Sequence, residues 1–107
     1  MNFTLRPLSE TILIIEIQGN IMPDALLNEV DRLLSTQTLK KLCVNLKEVH
    51  FVDSLILGGF LKCHQHCEEA QAQFVLLTPQ SGVSHLLALT KLDNLIAIAE
   101  DESALTD

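Results

Sequence analysis

From Cys43 to Gly59 the chain reads C-V-N-L-K-E-V-H-F-V-D-S-L-I-L-G-G, and its chemistry gathers at Asp53-Ser54. One apolar run stops at these two residues and another begins directly after them. Asp and Ser side chains accept hydrogen bonds from the unpaired N–H groups of a helix's first turn. A strand is therefore expected to end here and a helix to begin at Ser54. That junction sets a hydroxyl where backbone donors and the positive end of a helix dipole converge. Such a field stabilises a phosphate.

Two other groupings could do chemistry. Cys63-His64-Gln65-His66-Cys67 places two thiols four apart, on one face of a helix. His64 and His66 then point elsewhere, and a zinc site needs four ligands, or three plus water. The expected arrangement is two small buried cysteines and two exposed histidines, with no metal and no cofactor. His50, Asp53 and Ser54 hold the residue types of a nucleophilic site. No Gly-x-Ser-x-Gly elbow and no phosphate-cradling Gly-rich loop accompanies them. A binding protein is expected rather than an enzyme.

The elements that must position Asp53-Ser54 follow from periodicity. Thr4 to Leu8 is a short strand that Pro7 confines to an edge or an end. Thr11 to Ile17, rich in β-branched residues, is a buried strand closed by Gly19-Asn20. Pro23 and Asp24 open an amphipathic helix with Leu26, Leu27, Val30, Leu33 and Leu34 at helical spacing. Leu39 to Leu46 is a central strand. A loop from Lys47 to Val52 leads to a helix over residues 54–72, in which Gly58-Gly59 costs roughly 1 kcal/mol per residue against Ala. Close packing on the sheet is the expected reason. Phe74 to Thr78 is a strand stopped by Pro79, and Ser81 or Gly82 caps an apolar helix. Leu95 to Ala99 is a last short strand, and residues 100–107 form a frayed terminal helix. Strands alternating with helices imply parallel pairing and right-handed crossovers.

Bulk composition narrows the function. The 107 residues suit one domain spanning 1–107, with no internal repeat or linker. Nearly half are apolar, but only four are aromatic, all Phe. Base-stacking platforms are therefore scarce. A net charge of −7 without a basic stripe argues against nucleic acid and suits a basic protein partner. Three cysteines, no leader-like N-terminus and no long apolar run point to a reducing cytoplasm without membrane insertion.

Taken together, these residues resemble the STAS family, the anti-sigma-factor antagonists and their relatives. Asn45-Leu46, Val49, Phe51-Val52-Asp53-Ser54, Leu57-Gly58 and Leu89-Thr90-Lys91-Leu92-Asp93 carry the resemblance, which covers nearly the whole chain. It implies an α/β fold: a mixed, mostly parallel five-stranded sheet covered by four or so helices. It implies a partner, an anti-sigma factor or switch-protein serine kinase, a PP2C-type phosphatase to reverse the modification, and it allows a homodimer. The family's common Asp-Ser-Ser-Gly-Leu-Gly is here Asp53-Ser54-Leu55-Ile56-Leu57-Gly58. In that register, similar to stressosome scaffold proteins, Ser54 is the implied phosphoacceptor. The family's early Gly-x-Leu-Asp is here Gly19-Asn20-Ile21-Met22, so its acidic group is missing. The expected partner-binding residues are Ile21, Met22, Asp53, Ser54, Leu55 and Ile56. The apolar ones among them also suit a core. The alternative is a STAS module that is never phosphorylated and serves as a subunit of a transport or sensory complex.

Overall fold

A computed structural model describes residues 1–106 of the chain. Its elements are β1 (Asn2–Pro7), β2 (Ile12–Gln18), α1 (Pro23–Thr36), β3 (Lys41–Asn45), α2 (Ser54–Glu69), β4 (Gln73–Leu77), α3 (Ser81–Leu89) and β5 (Ala97–Ala99), with short 3-10 turns at Leu92–Asn94 and Glu102–Ala104. The five strands lie in the order β1-β2-β3-β4-β5. β1 pairs antiparallel with β2, and every later pair is parallel. The α/β fold with a mixed, mostly parallel sheet is thus as the residues and the resemblance imply.

Side-chain alternation along the strands divides the core in two. Leu13, Ile15 and Ile17 of β2, Leu42 and Val44 of β3, and Phe74 and Leu76 of β4 face one way. They pack with Leu26, Val30 and Leu33 of α1, Phe60, Cys63 and Cys67 of α2, and Val83 and Leu87 of α3. All three helices therefore lie on this face. Ile12, Ile14, Cys43, Val75, Leu77 and Ala99 face the other way and pack with Leu105 from the chain's last turn. No helix covers that second face among the described residues.

Several boundaries move, each for a visible reason. Helix α2 stops at Glu69 rather than Ala72 because Gln71 takes a left-handed φ of 62°. The Ala72 N–H then bonds the Cys67 carbonyl and the Gln71 N–H the Glu68 carbonyl, which satisfies the helix's last acceptors. Gln80 stands at the N-cap position of α3, ahead of the expected Ser81 or Gly82, and makes no side-chain cap bond. The expected terminal helix is only the 3-10 turn Glu102–Ala104, so three α-helices cover the sheet where about four were expected. The Asp101 carboxylate accepts from the Ser103 N–H, and Leu105 turns into the second core, which ends the turn after one winding. Asp107, included in the expected helix, lies outside the described residues.

Gly59 does not pack on the sheet. A Cβ at this position would stand 2.9 Å from Cβ of Pro23, so the glycine sets the approach of α2 to the first turn of α1. At Gly58 nothing lies within 4 Å of such a Cβ. The two glycines should therefore respond oppositely. Gly59→Ala should destabilise the fold by about 1–3 kcal/mol through overpacking. Gly58→Ala should stabilise it by up to about 1 kcal/mol through helix propensity. Urea denaturation of both variants measures this, and equal stabilities would refute the α1–α2 contact.

Candidate functional site

Strand β3 delivers the chain to the Ser54 junction along a loop pinned at several points. Asn45 Oδ1 accepts from the Lys47 N–H at 2.9 Å, and Gln80 Nε2 donates to the Lys47 carbonyl at 2.7 Å. Val49 is buried in the main core, and its N–H bonds the Leu46 carbonyl. His50 Nδ1 lies 3.1 Å from Gln80 Oε1. A loop held by its ends and its middle presents the next residues in a fixed orientation.

Asp53 is the helix cap. Its Oδ1 accepts from the Ile56 N–H at 2.9 Å, and its carbonyl accepts from the Leu57 N–H at 2.9 Å. Ser54 occupies the first helical position and is exposed. No hydrogen bond holds its hydroxyl among the described residues. Successive helical side chains diverge by about a third of a turn. Ser54 and Leu55 consequently face solvent, while Ile56 and Leu57 enter the core.

That division corrects two expectations. Ile21 and Ile56, expected at the partner surface, are both buried in the main core. Met22 and Leu55 are exposed, at 56% and 75%, and Phe51 in the loop is exposed at 59%. Three large apolar side chains thus stand in solvent around the starts of α1 and α2. Phe51 was not among the expected partner residues. In the loop, Val49 is buried and Val52 packs against the core, while Phe51 between them faces solvent.

Ser54 and Leu55 open onto a cleft of about 300 Å³ between the two helices. Gly58 and Gly59 belong to its lining with Pro23 and Leu27, and its charged members are Asp24 and Lys62. Met22 immediately precedes Pro23. Asp24, an acidic residue, stands two residues after Met22 in the first turn of α1. Sequence reading placed Asp24 only as a helix opener and gave Lys62 no role. Lys62 shares α2 with Ser54, whereas the approach of Asp24 depends on the Gly59–Pro23 contact, which joins residues far apart in the chain.

The other reactive groupings are dispersed. His50 turns to Gln80 and Asp53 to a backbone N–H, so His50, Asp53 and Ser54 form no relay. Cys63 and Cys67 are buried, and burial pushes both thiols up to about 12, which leaves them protonated. His64 and His66, expected to be exposed, are partly buried and engaged. His64 Nε2 lies 2.5 Å from Glu68 Oε1, and His66 Nδ1 lies 2.7 Å from Asp31 Oδ1 on α1. No cluster of three or more His, Cys, Asp or Glu able to hold a metal occurs among the described residues. None of their helices is long and apolar enough to cross a membrane.

The cap and the hydroxyl should separate in a stability experiment. Asp53→Ala leaves the Ile56 N–H unpaired and should cost about 1 kcal/mol. Ser54→Ala removes no bond and should fall within about 0.5 kcal/mol of wild type. Chemical denaturation of both variants checks the assignment. A larger loss in Ser54→Ala would mean that Ser54, not Asp53, holds the helix start.

With this geometry in view, known proteins place the chain. TM1081 of Thermotoga maritima superposes with a TM-score of 0.83 at 21% identity, covering 97% of this chain and 85% of that one. The anti-sigma factor antagonist SpoIIAA in its unphosphorylated form gives 0.78 at 18% identity, covering 96% and 92%; its phosphorylated form is also known. A sulfate transporter family protein from Wolinella succinogenes gives 0.71 at 13% identity, covering 86% and 79%. These likenesses show a shared fold. The STAS domain family model matches residues 6–105, and the chain belongs to the STAS family.

Proposed function

We propose that this chain is a cytoplasmic, non-catalytic regulatory module of the anti-sigma-factor-antagonist type. Its partner is an anti-sigma factor or a related switch-protein serine kinase, and Ser54 is the residue that kinase modifies. The observation that carries this reading is the exposed, unbonded Ser54 hydroxyl at the first position of α2, beside solvent-facing Leu55. A kinase can reach such a hydroxyl without unfolding anything.

Phosphorylation would then weaken partner binding by simple electrostatics. The unmodified surface is apolar at Leu55, Met22 and Phe51, with Asp24 and Lys62 at the cleft between the helices. A phosphate on Ser54 adds about −1.5 to −2 charges at neutral pH. Covering those charges with a partner would demand their desolvation beside Asp53 and Asp24. A PP2C-type phosphatase would restore the binding-competent surface. SpoIIAA, an anti-sigma factor antagonist known in both phosphorylation states, offers the parallel.

A second reading is a module that is never phosphorylated and docks constitutively in a transport or sensory assembly. The 75% exposure of Leu55, where the family's common pattern carries a second serine, favours it. One set of measurements separates the two. Serine-kinase anti-sigma factors of the same organism, supplied with ATP, should add one phosphate to wild type and none to Ser54→Ala. Ser54→Glu should bind the same partner at least about tenfold more weakly by calorimetry, corresponding to roughly 1.4 kcal/mol. Unaltered affinity in Ser54→Glu, with Leu55→Asp abolishing binding, would select constitutive docking.

A further inference from the structure

The second face of the sheet is covered by a strap rather than a helix. Beyond β5, residues 100–106 join the rest of the fold at three kinds of contact among the described residues. Thr78 Oγ1 donates to the Glu100 carbonyl at 3.1 Å. Arg6 grips Glu102 with two hydrogen bonds of 2.8 and 2.6 Å. Leu105 plugs the apolar patch of Ile12, Ile14, Cys43, Val75 and Leu77. The other bonds of the turn are internal, running from the Ala104 and Leu105 N–H groups and between Asp101 and Ser103. A terminal segment docked by one ion pair and one apolar side chain can open below the cost of global unfolding.

Arg6 does not end at the strap. Its Nε donates to Glu16 Oε1 at 2.8 Å, and Glu16 Oε2 accepts from Asn45 Nδ2 at 2.7 Å. Asn45 Oδ1 in turn holds the Lys47 N–H, the first bond of the loop that presents Ser54. Arg6 Nη2 stands 2.6 Å from both Glu16 Oε1 and Glu102 Oε2, so the two carboxylates share one guanidinium nitrogen. When Glu102 leaves, Arg6 faces Glu16 alone, and Glu16 can give both oxygens to the guanidinium. The guanidinium then competes with Asn45 Nδ2 for Glu16 Oε2, and the side-chain orientation that holds Lys47 is less firmly set.

We propose that residues 100–106 form a detachable regulatory strap whose docking is coupled, through Arg6, Glu16 and Asn45, to the order of the loop carrying Ser54. Its regulatory consequence rests on the role proposed for Ser54. The coupling itself does not, so its test needs neither kinase nor partner.

Amide hydrogen exchange on the intact chain is the test, comparing wild type with Glu102→Gln and Leu105→Ala. The first weakens the ionic end of the strap and the second its apolar end. Both should speed exchange in residues 100–106 and, about fivefold or more, in residues 47–56. Amides in the middle of α1 and in β4 should keep their wild-type rates. With Asn45→Ala added, the strap variants should have no further effect on residues 47–56. Loop exchange at wild-type rates beside an accelerated strap would overturn the coupling. A loop that still responds in the Asn45→Ala background would overturn the route. A strap unmoved in both variants would overturn its attachment, and uniform acceleration across the chain would mean lost global stability and no separate strap.

Discussion

The approach of α1 to α2 at Gly59 is the constraint on which the candidate site depends. The 2.9 Å that would separate a residue-59 Cβ from Pro23 leaves room for glycine alone unless a helix shifts. That contact brings the first turn of α1 beside the first turns of α2. It thereby sets Asp24 and Leu27 across a cleft from Ser54 and Leu55. Pro23 suits both duties: its ring needs no N–H at the first helical position, and it presents a compact apolar wall to the glycine. The site is thus made by backbone proximity, and side chains only decorate it.

Opposing electrostatic effects meet at Ser54 in the free chain. A helix N-terminus stabilises a nearby anion by about 0.3–1 kcal/mol at an exposed position. Repulsion between two unit charges 4 Å apart is about 1 kcal/mol in bulk water. A phosphate on Ser54 would meet the first effect from α2 and the second from Asp53, two effects of opposite sign. Phosphorylation need not change the fold for the proposed switch to work. Its force would appear when a partner removes water from the site, because desolvation of a charge costs several kcal/mol. The same reasoning explains why an exposed, rigid position serves better than a buried one.

Much of this fold was legible because its signals are local. The β-branched run of β2, the Pro23 helix start and the Asp53 cap each rest on neighbouring residues. Two kinds of feature were not. The first is the division of apolar residues between core and surface. Leu55 and Ile56 are adjacent and similar in hydropathy, and only the helix's rotation relative to the sheet sends one out and the other in. Ile21 likewise enters the core while Met22, next to it, remains exposed. The second is contact over long sequence separation. The Arg6–Glu102 pair spans 96 residues, and nothing near either residue announces it. The terminal segment looked helical by composition, yet this pair and Leu105 hold it as a single turn.

The exposed apolar residues also bear on the alternatives for function. Burying a leucine side chain contributes about 1.5–3 kcal/mol, and Leu55 forgoes most of it in the isolated chain. A single exposed leucine is ordinary on protein surfaces. Phe51 and Leu55 flank the capped junction, however, and Met22 stands at the start of the helix packed against it. A partner covering all three would recover burial that the fold alone leaves unused. Gly58 points the same way, since Ala there would strengthen the helix and nothing among the described residues opposes it. Both a switched and a constitutive partner would use such a surface. Only the switched one needs a hydroxyl at its edge that is free of structural duty, and Ser54 meets that condition because Asp53 alone supplies the side-chain cap.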